Sequence, residues 1–453
     1  MLRSVFRVAL LGLAALAVHA AQAVPVGAMP SCAALAATDA AALTLAHALA
    51  RVADCHPDVR AARAALGGAA ADLQVAGQTP NPQLTLGAGS IGRSLGAGPL
   101  WRKTFDQSAR IEQLIERGNK PGLRRAAADA ARQAALADLA DSARRAASLV
   151  ARAHQDLWAT QGRRSQLQAA VVLSAESLRL LDLRVRAGDA PALDASRFRL
   201  DDARLQADLR QADADAQEQQ RQLALLIGAA TVAGDLQPQA VDLAALASPP
   251  ADAPSLATLS TELAERRPDV SAALSRVNAA ALLRDLAAAA RSRDVTVGVQ
   301  LDHWPTSPAN TSGTGNTISL SLSVPLFLQH NNEGELARAE ADLVMAQDGL
   351  RRVRETAGAE IGRAVALTRA AADRRRLVVD QLQPAADKVA AGAELAYRRG
   401  ASSALELLDA RRSLRAVQVE RFAADAELAK ALADWQVAST PVVLLLNPGI
   451  KRP

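Results

Sequence analysis

The chain contains the same succession of sequence motifs twice, and this duplication limits its fold more than any other feature. "HPDVRAA", which begins at His56, recurs as "RPDVSAA" from Arg267, 211 residues further along the chain. At the same spacing, "LTLG" from Leu84 returns as "VTVG" from Val295. Pairs that recur in the same order indicate a tandem repeat of one structural unit.

Each half predicts the same order of elements: a helix, two strands joined by a loop, a very long helix, a turn and a second long helix. The chain therefore divides into a signal peptide, a first repeat, a linker, a second repeat and a tail. Their predicted bounds are 1–23, 24–228, 229–253, 254–438 and 439–453. The strands are predicted at about 83–91, 103–115, 294–304 and 316–327, and the turns near residues 188 and 400.

The helical segments are too long for an ordinary globular domain. They are predicted at about 121–187, 191–226, 333–399 and 402–437. At about 1.5 Å per residue, the longest segment extends roughly 100 Å. Aromatic residues make up only 2% of the chain, while apolar residues recur at three- and four-residue spacing among many charged ones. This pattern predicts a mainly α fold whose helices pack side by side as in a coiled coil.

The predicted strands carry one apolar and one polar face. From Ile318 to Val324 the chain alternates large aliphatic residues with three serines, and 294–304 alternates in the same way. Strands of about ten residues with this alternation are typical of a transmembrane β-barrel, in which one face contacts lipid and the other a water-filled lumen. Pro325, which has no backbone N–H to donate, is predicted to mark the end of the barrel.

Four strands from one chain cannot close a channel, and an open sheet edge is not tolerated in lipid. Several chains must therefore share the barrel. Two chains give eight strands, a number at which side chains fill the interior, whereas three give twelve strands and a pore. The sequence thus predicts a homotrimer with a 12-stranded barrel.

The N-terminus has the features of a secretory signal peptide. Two arginines precede an apolar run from Val8 to Val18, and Ala21-Gln22-Ala23 provides a cleavage site after Ala23, with Ala20 as an alternative. No later run is long enough for a transmembrane helix. The net charge of +5 is small for 453 residues, and it is distributed among interleaved acids and bases, so no nucleic-acid partner is predicted.

The two cysteines, Cys32 and Cys55, both follow the predicted cleavage site. In an exported protein this pair predicts a disulfide that holds the N-terminal segment. The alternative is that Cys32 carries a lipid, although Met29-Pro30-Ser31 before it is a poor context for lipidation.

The two turns between long helices are predicted to form helical hairpins at the end of the molecule away from the strands. "RAGDAPALD" from Arg186 corresponds to "RRGASSALE" from Arg398. Gly188 and Gly400 each allow a left-handed helix cap, and each is followed within a few residues by a new helix start.

The motifs "TPNPQLTLG", "SVPLFLQHNNEGELARAEADL" and "YRRGASSALELLDARRSL" resemble the TolC family of outer-membrane efflux channels over nearly the whole mature chain. The segment from Val324 to Ala339 is most similar to the heavy-metal (CzcC-like) branch. The resemblance implies a trimeric channel in the outer membrane, surrounded by lipid, with a tunnel that crosses the periplasm. It also implies a periplasmic adaptor protein and an inner-membrane efflux pump as partners, with cations, heavy metals or small toxic compounds as cargo.

The same resemblance implies roles for residues near the turns. Two stretches match the turns that dock the adaptor, and their key residues are Arg186, Gly188, Leu193, Arg398, Gly400, Ser402 and Leu405. The family places carboxylate rings and a tyrosine at the closed periplasmic entrance, and the matching positions here are Glu406, Asp409 and Tyr397. Ser402 stands where the family can have a basic residue.

The sequence itself supports the carboxylate pair in part. Glu406 and Asp409 are three residues apart and so share one helix face, whereas the first repeat has Asp194 and Arg197 at these positions. In a trimer, the second-repeat pair would give six carboxylates that attract cations. The alternatives are an ordinary solvated helix face and turns that bind no partner.

No enzymatic activity, cofactor or metal site is predicted. The six histidines and two cysteines are scattered along the chain, and no spacing among them is typical of metal ligands or of a catalytic triad. A second hypothesis for function is an exported coiled-coil scaffold protein without a pore, in which the strands form a small soluble sheet.

Overall fold

The computed structural model describes residue 32 and residues 35–89, 105–229, 236–244, 246, 248–249, 256–304 and 315–439. The predicted signal peptide and almost all of the predicted tail lie outside the described residues, as does part of the predicted linker.

The first half consists of four short or medium helices, two strands and two long helices. They are α1 (Ala37–Ala41), α2 (Leu45–Ala50), α3 (Val52–Cys55), α4 (Pro57–Ala76), β1 (Gln83–Gly89), β2 (Asp106–Ile115), α5 (Lys120–Arg186) and α6 (Ala192–Leu226). The helix α5 has 67 residues, which corresponds to a length of about 100 Å.

The second half repeats this order. Its elements are α7 (Leu256–Glu265), α8 (Pro268–Ala289), β3 (Val295–Trp304), β4 (Gly315–Ser323), α9 (Glu333–Leu377), a π-helical turn (Val378–Leu382), α10 (Gln383–Arg398) and α11 (Ala404–Ser439). The mainly α fold class with four strands is thereby confirmed. Among the described residues, no helix is both long and apolar enough to cross a membrane.

One long helix is interrupted where the sequence predicted a continuous one. Between α9 and α10, the N–H of Gln383 donates to the carbonyl of Val378, five residues earlier, which makes a π-helical turn. Pro384 follows directly. It lacks a backbone N–H and its ring crowds the preceding turn, so a locally wider turn accommodates it within the helix.

The four strands form one antiparallel sheet in the order β1-β2-β3-β4. The ladder between β3 and β4 ends at the pair Thr296 and Ser323, so the predicted extension of the fourth strand to residue 327 is wrong. Pro325 cannot donate to a ladder, and the partner strand itself begins at Val295. The third strand was predicted to begin one residue earlier, at Asp294, whose carboxylate instead binds Arg117 and Lys120.

The start of each long helix has the same unusual backbone. Asn119 before α5 and Asn332 before α9 both adopt positive φ, at 57° and 60°. Asparagine tolerates this left-handed conformation better than most residues. The shared geometry at the strand-to-helix junction is a backbone feature of the tandem repeat.

Two separate apolar clusters hold the region between the strands and the turns. One joins the N-terminal helices to α5 and to the end of α6, with Leu43, Val150, Leu157 and Leu223 fully buried. The other joins α7, α8, α9 and the end of α11, and contains Ile361 and the side chain of Trp435. Each repeat therefore has its own core.

Candidate functional site

One face of the sheet carries a continuous block of exposed apolar side chains. The strand register places Leu84, Ile111, Val299 and Leu320 in one row across the sheet. The next row contains Leu86, Ala109, Leu301 and Ile318. Leu320 is 81% exposed and Leu86 is 73% exposed. A block of this size is typical of a surface that contacts lipid or another protein.

The opposite face is polar and internally paired. The guanidinium of Arg110 lies 2.5 Å from a carboxylate oxygen of Glu112 and donates to Ser321 Oγ at 3.3 Å. Gln300 donates to Asp302 at 2.8 Å. Hydrogen-bonded ion pairs and amides of this kind suit a wet interior better than a hydrocarbon environment.

Each outer strand has one neighbour in the described sheet. β1 pairs only with β2, and β4 pairs only with β3. Their outer edges therefore present backbone N–H and C=O groups that further strands can pair with. The sheet thus combines an uncovered apolar face with two open edges.

Ion pairs fix the sheet to the start of α5. The carboxylate of Asp294 accepts from the backbone N–H of Arg117 at 2.9 Å and from Lys120 at 2.8 Å. Burial alone raises the pKa of Asp294, but these donors outweigh it and lower the pKa. The paired hydrogen bonds from Arg124 likewise hold the pKa of Glu116 below its usual range.

The two turns have the same hydrogen-bonded geometry. Gly188 and Gly400 have φ of 82° and 71°, a region that glycine enters without strain. The next residue in each turn, Asp189 or Ala401, donates its backbone N–H to a carbonyl five residues earlier, at 2.9 and 2.8 Å. This arrangement is a Schellman motif, which ends α5 and α10 and reverses the chain.

A small apolar core joins the two turns. Phe198 and Leu408 are buried in it beside Leu181 and Leu407, and Tyr397 packs against its edge. The guanidinium of Arg184 lies 5.8 Å from the centre of the Tyr397 ring, a distance at which a cation–π attraction contributes about 0.5–1 kcal/mol at an exposed site. Helices from both repeats thus meet at these turns.

Matching positions of the two turns expose the same residue types. Leu193 is 60% exposed and Leu405 is 43% exposed. Arg186 and Arg398 are also exposed, and Arg398 pairs with Glu394 at 2.6 Å. The structure therefore brings together the residues for which the sequence predicted a docking role, with an apolar and a basic residue at each turn.

Glu406 takes part in a capping interaction that the sequence analysis missed. The backbone N–H of Ser403 donates to Glu406 Oε2 at 3.1 Å, and the N–H of Glu406 donates to Ser403 Oγ at 3.3 Å. This reciprocal pair is a capping box at the start of α11, and the spacing of a serine and a glutamate three residues apart is its signature. The carboxylate remains exposed at the helix start.

Asp409 is partly neutralised within its own chain. Arg412 lies 3.3 Å from Asp409 and 2.8 Å from the buried carboxylate of Asp201 on α6. One guanidinium thus serves two acidic groups. Of the two predicted gate carboxylates, Glu406 has no basic partner among the described side chains. Ser402, also near the turn, has a buried hydroxyl oxygen without a hydrogen bond in this part of the chain.

The two cysteines form a disulfide, with a sequence separation of 23. It lies against Gly228 at the end of α6, where a Cβ atom would come within 2.7 Å of Cys32 Sγ. Arg51 adds a hydrogen bond to the carbonyl of Ile227 at 2.9 Å. The disulfide closes the N-terminal segment on itself, and its contact with Gly228 together with the Arg51 hydrogen bond holds this segment against the end of the first helical hairpin.

No group of three or more potential metal ligands occurs within the described ranges. His330, at the start of α9, is exposed and lies 3.0 Å from Glu335.

Comparisons with known proteins agree with this architecture. Residues 259–439 match the family model of the outer membrane efflux protein, OEP. No curated protein sequence matches the chain at a significant level.

Solved structures match over most of the chain. CusC is 17% identical, with 87% of this chain and 91% of that chain covered and a TM-score of 0.73. The Campylobacter jejuni CmeC outer membrane channel is 15% identical, with 87% and 85% covered and a TM-score of 0.72. The open state of the Neisseria gonorrhoeae MtrE outer membrane channel is 17% identical, with 87% and 88% covered and a TM-score of 0.71. The chain has the fold of these proteins.

Proposed function

We propose that the protein is a trimeric outer-membrane efflux channel, a passive exit duct that works with a periplasmic adaptor and an inner-membrane pump. The observation that carries this proposal is the sheet, which has an exposed apolar face, a polar opposite face and two open edges. The match of residues 259–439 to the outer membrane efflux family and the channel-type fold support it.

The open edges argue for a shared barrel. If β1 of one chain pairs with β4 of the next, three chains close a 12-stranded cylinder without a free edge. Leucine, isoleucine and valine then face lipid, while Arg110, Glu112 and the strand serines face water. The long helices extend from the other end of the sheet as the wall of a tunnel.

The turns are the proposed contact with the adaptor. Leu193 and Leu405 are exposed at equivalent places, 60% and 43%, and an arginine lies near each. The exposed leucines provide apolar contact area for a partner, and the arginine near each is of a residue type that is enriched among the side chains that carry binding energy at interfaces. The adaptor, and through it the pump, would select the cargo.

The entrance is proposed to favour cations through Glu406. Asp409 shares Arg412 with Asp201, so its contribution to a threefold carboxylate ring is smaller than that of Glu406. Tyr397 is proposed to hold the closed entrance by its contact with the turn core. Membership of the heavy-metal branch, with metal cations as cargo, is part of the same proposal.

Membrane extraction and size measurement test the proposal directly. We expect the full-length protein to resist carbonate and high salt, to need detergent for release, and to behave as a trimer in mild detergent. Release without detergent, or a monomer in detergent, would favour the scaffold hypothesis over the channel.

Bilayer conductance tests the proposed gate. Glu406→Gln keeps the capping box because glutamine can also accept the Ser403 N–H, so this variant removes charge alone. We expect it to lower cation selectivity, with a smaller change for Asp409→Asn. Asp194→Asn at the first turn is the matched control, since Asp194 is already paired with Arg197 at 3.6 Å. Unchanged reversal potentials for Glu406→Gln contradict the proposed role.

Adaptor docking is tested at the two leucines. We expect Leu193→Ser and Leu405→Ser each to reduce co-purification of the adaptor from envelopes in which the channel still forms trimers. Leu200→Ser is the control, because Leu200 is 54% exposed on α6 but lies about two helical turns from the turn. Equal loss in all three variants would argue against docking at the turns.

A further inference from the structure

A cleft of about 290 Å³ lies between α5, α6 and α11. This volume is near the lower end of the range for small-molecule pockets. Each of the three helices contributes one stripe of side chains at three- and four-residue spacing. The lining residues are Gln166, Ala169, Ala170, Leu173, Ser174, Phe198, Asp201, Leu205, Leu408, Arg411, Leu414, Arg415 and Gln418.

The space exists because α5 presents small residues here. Ala169, Ala170 and Ser174 are too short to fill the gap between α6 and α11. The buried side chains of Phe198 and Leu205 line its α6 side. The cleft therefore has packed apolar walls that can hold an apolar body.

Several polar groups in the cleft have no partner. Within the described ranges, the side chains of Gln166, Ser174, Arg415 and Gln418 form no hydrogen bond or ion pair. Arg411, which also lines the cleft, has a buried Nε atom without a hydrogen-bond partner in this part of the chain. Buried polar groups are nearly always hydrogen-bonded, and a buried unpartnered nitrogen beside partly exposed polar side chains in one cleft is a feature of a ligand site.

The charge of the cleft is set by Arg415. Asp201 is neutralised by Arg412, which donates to it at 2.8 Å. Arg411 donates to Ser177 at 2.9 Å and lies 3.8 Å from Glu394. The guanidinium of Arg415 is therefore the uncompensated charge among the lining residues, and it attracts an anion that can accept its hydrogen bonds.

We propose that this cleft binds a small amphipathic anion, with a carboxylate or sulfonate at Arg415 and an apolar body between the leucines and Phe198. All lining residues belong to one chain, so the site does not depend on the proposed channel function. An occupant contacts both helical hairpins of the chain and therefore stabilises their packing.

Titration with naphthalene-2-sulfonate tests the proposal. The probe combines an apolar ring system with one sulfonate, and its binding to the full-length protein in mild non-ionic detergent can be followed by calorimetry. We expect saturable binding of one probe per chain. Arg415→Gln should weaken it about tenfold, equivalent to about 1.4 kcal/mol, and Ala170→Leu should abolish it by filling the cleft.

Two controls separate the site from general adsorption. Arg204→Gln removes the same charge from the exposed side of α6, one residue from the lining, and should leave the affinity unchanged. 2-Naphthylmethylammonium, a cation with the same ring system, should bind at least tenfold more weakly than the sulfonate. Equal binding of both probes, or equal affinity in wild type and Arg415→Gln, would overturn the proposal. If Ala170→Leu does not fold, Ser174→Ala should still show a severalfold weaker affinity.

Discussion

The helices α4 and α8 begin with the same backbone conformation in the two repeats, but different side-chain interactions hold the two helix starts in place. His56 and Arg267 occupy equivalent positions, each followed by proline and aspartate, and both are buried, at 2% and 4% exposure. His56 uses one ring nitrogen, Nδ1, to accept the backbone N–H of Asp58 at 3.2 Å. Arg267 instead binds Asp269 at 2.6 Å and Glu360 at 2.7 Å.

The surroundings extend this contrast. Near His56, the first repeat relies on a disulfide and on a second buried histidine, His154, whose Nε2 lies 3.0 Å from the carbonyl of Leu43. Near Arg267, the second repeat relies on charge. Asp269 also lies 3.7 Å from Arg144 of α5. The start of α4 is therefore held by neutral groups beside a covalent bond, whereas the start of α8 is held by an ionic network that Arg144 of the first repeat also joins.

The directions of the pKa shifts follow from this difference. Burial lowers the pKa of His56 and of His154, because the charged imidazole loses its hydration. Burial alone raises the pKa of Asp269, but the hydrogen bond and charge of Arg267 outweigh burial and lower it. The starts of α4 and α8, although similar in backbone, are therefore expected to respond differently to acid, reduction and mutation.

Arg267→Met should have the largest effect, because it leaves Asp269 and Glu360 without their main partner. Breaking a buried ion pair on one side costs about 3–5 kcal/mol of stability. We expect the free energy of local opening of α8 and α9, measured by hydrogen exchange, to fall by this amount, and that of α4 to stay unchanged. Arg266→Met is the control, since Arg266 is the exposed neighbour. A loss of less than 1 kcal/mol would contradict the importance of the network.

Removal of the disulfide should affect the first repeat by a smaller amount. For a closed loop of this length, the loss of the cross-link costs about 3 kcal/mol. We expect the variant with both Cys32→Ser and Cys55→Ser to expose α1–α3 to hydrogen exchange and to lower the melting temperature. Reductant added to the wild type should reproduce the effect. An equal increase in hydrogen exchange at α8 would show that the disulfide stabilises both repeats rather than the first alone.

Acid should then distinguish the repeats without mutation. The folded pKa values of His56 and His154 lie below the unfolded value of about 6.5, so the unfolded chain takes up protons first. Their contribution to stability is complete above that pH and declines as the pH falls below it, by at most about 1.4 kcal/mol per pH unit for each histidine. We expect the protection factors of amides in α2 and α5, that is, their exchange rates corrected for the pH dependence of intrinsic amide exchange, to decrease between pH 7.5 and 5.5.

Substitution identifies the responsible side chain. His154→Gln retains an amide donor for the carbonyl of Leu43 but does not titrate, so the pH dependence should become shallower. His330→Gln is the matched control in the second repeat, where the described histidines are exposed. An unchanged pH profile in His154→Gln would exclude His154 as the origin.

The repeat and the strand faces were predictable because they depend on periodicity alone. Alternation from Ile318 to Val324 identified which side chains share a face, and the register confirms it. The turns at Gly188 and Gly400 were predictable from glycine between two helical patterns, since a left-handed cap needs that residue. The strand faces and the turns follow from residues close together in the chain, and the repeat follows from short motifs that recur 211 residues apart.

The partners of charged groups were not predictable, because they come from distant segments. Arg412 and Asp201 are 211 residues apart, and Asp141 and Arg144 meet the network around Asp269 from another helix. The π-helical turn was also missed, although Pro384 inside a helical pattern signals a disturbance. The capping box could have been found from Ser403 and Glu406 alone.

The smallest predicted effect concerns the helix starts after the two turns. In the second repeat, Ser403 caps α11 through its side chain, whereas Pro191 at the same place in the first repeat makes no side-chain cap. Ser403→Ala should therefore cost about 1 kcal/mol and fray the first turn of α11 in hydrogen exchange. Ser403→Asn should restore the cap without adding charge, because the side-chain oxygen of asparagine accepts the same N–H.

Pro191→Ala is the matched change in the first repeat. It removes a rigid residue but no side-chain cap. The loss of proline alone changes the free energy of unfolding by about 0.4–1 kcal/mol. We expect the start of α6 to change by no more than a few tenths of a kcal/mol beyond that. Ser403→Ala removes the acceptor of the Glu406 backbone N–H but keeps the backbone N–H of residue 403 that binds the Glu406 carboxylate, so it can move this charge only by fraying the helix start. If conductance changes in Ser403→Ala but not in Ser403→Asn, the cap positions the charge at the entrance. Equal conductance in both variants would show that the helix start does not affect the gate.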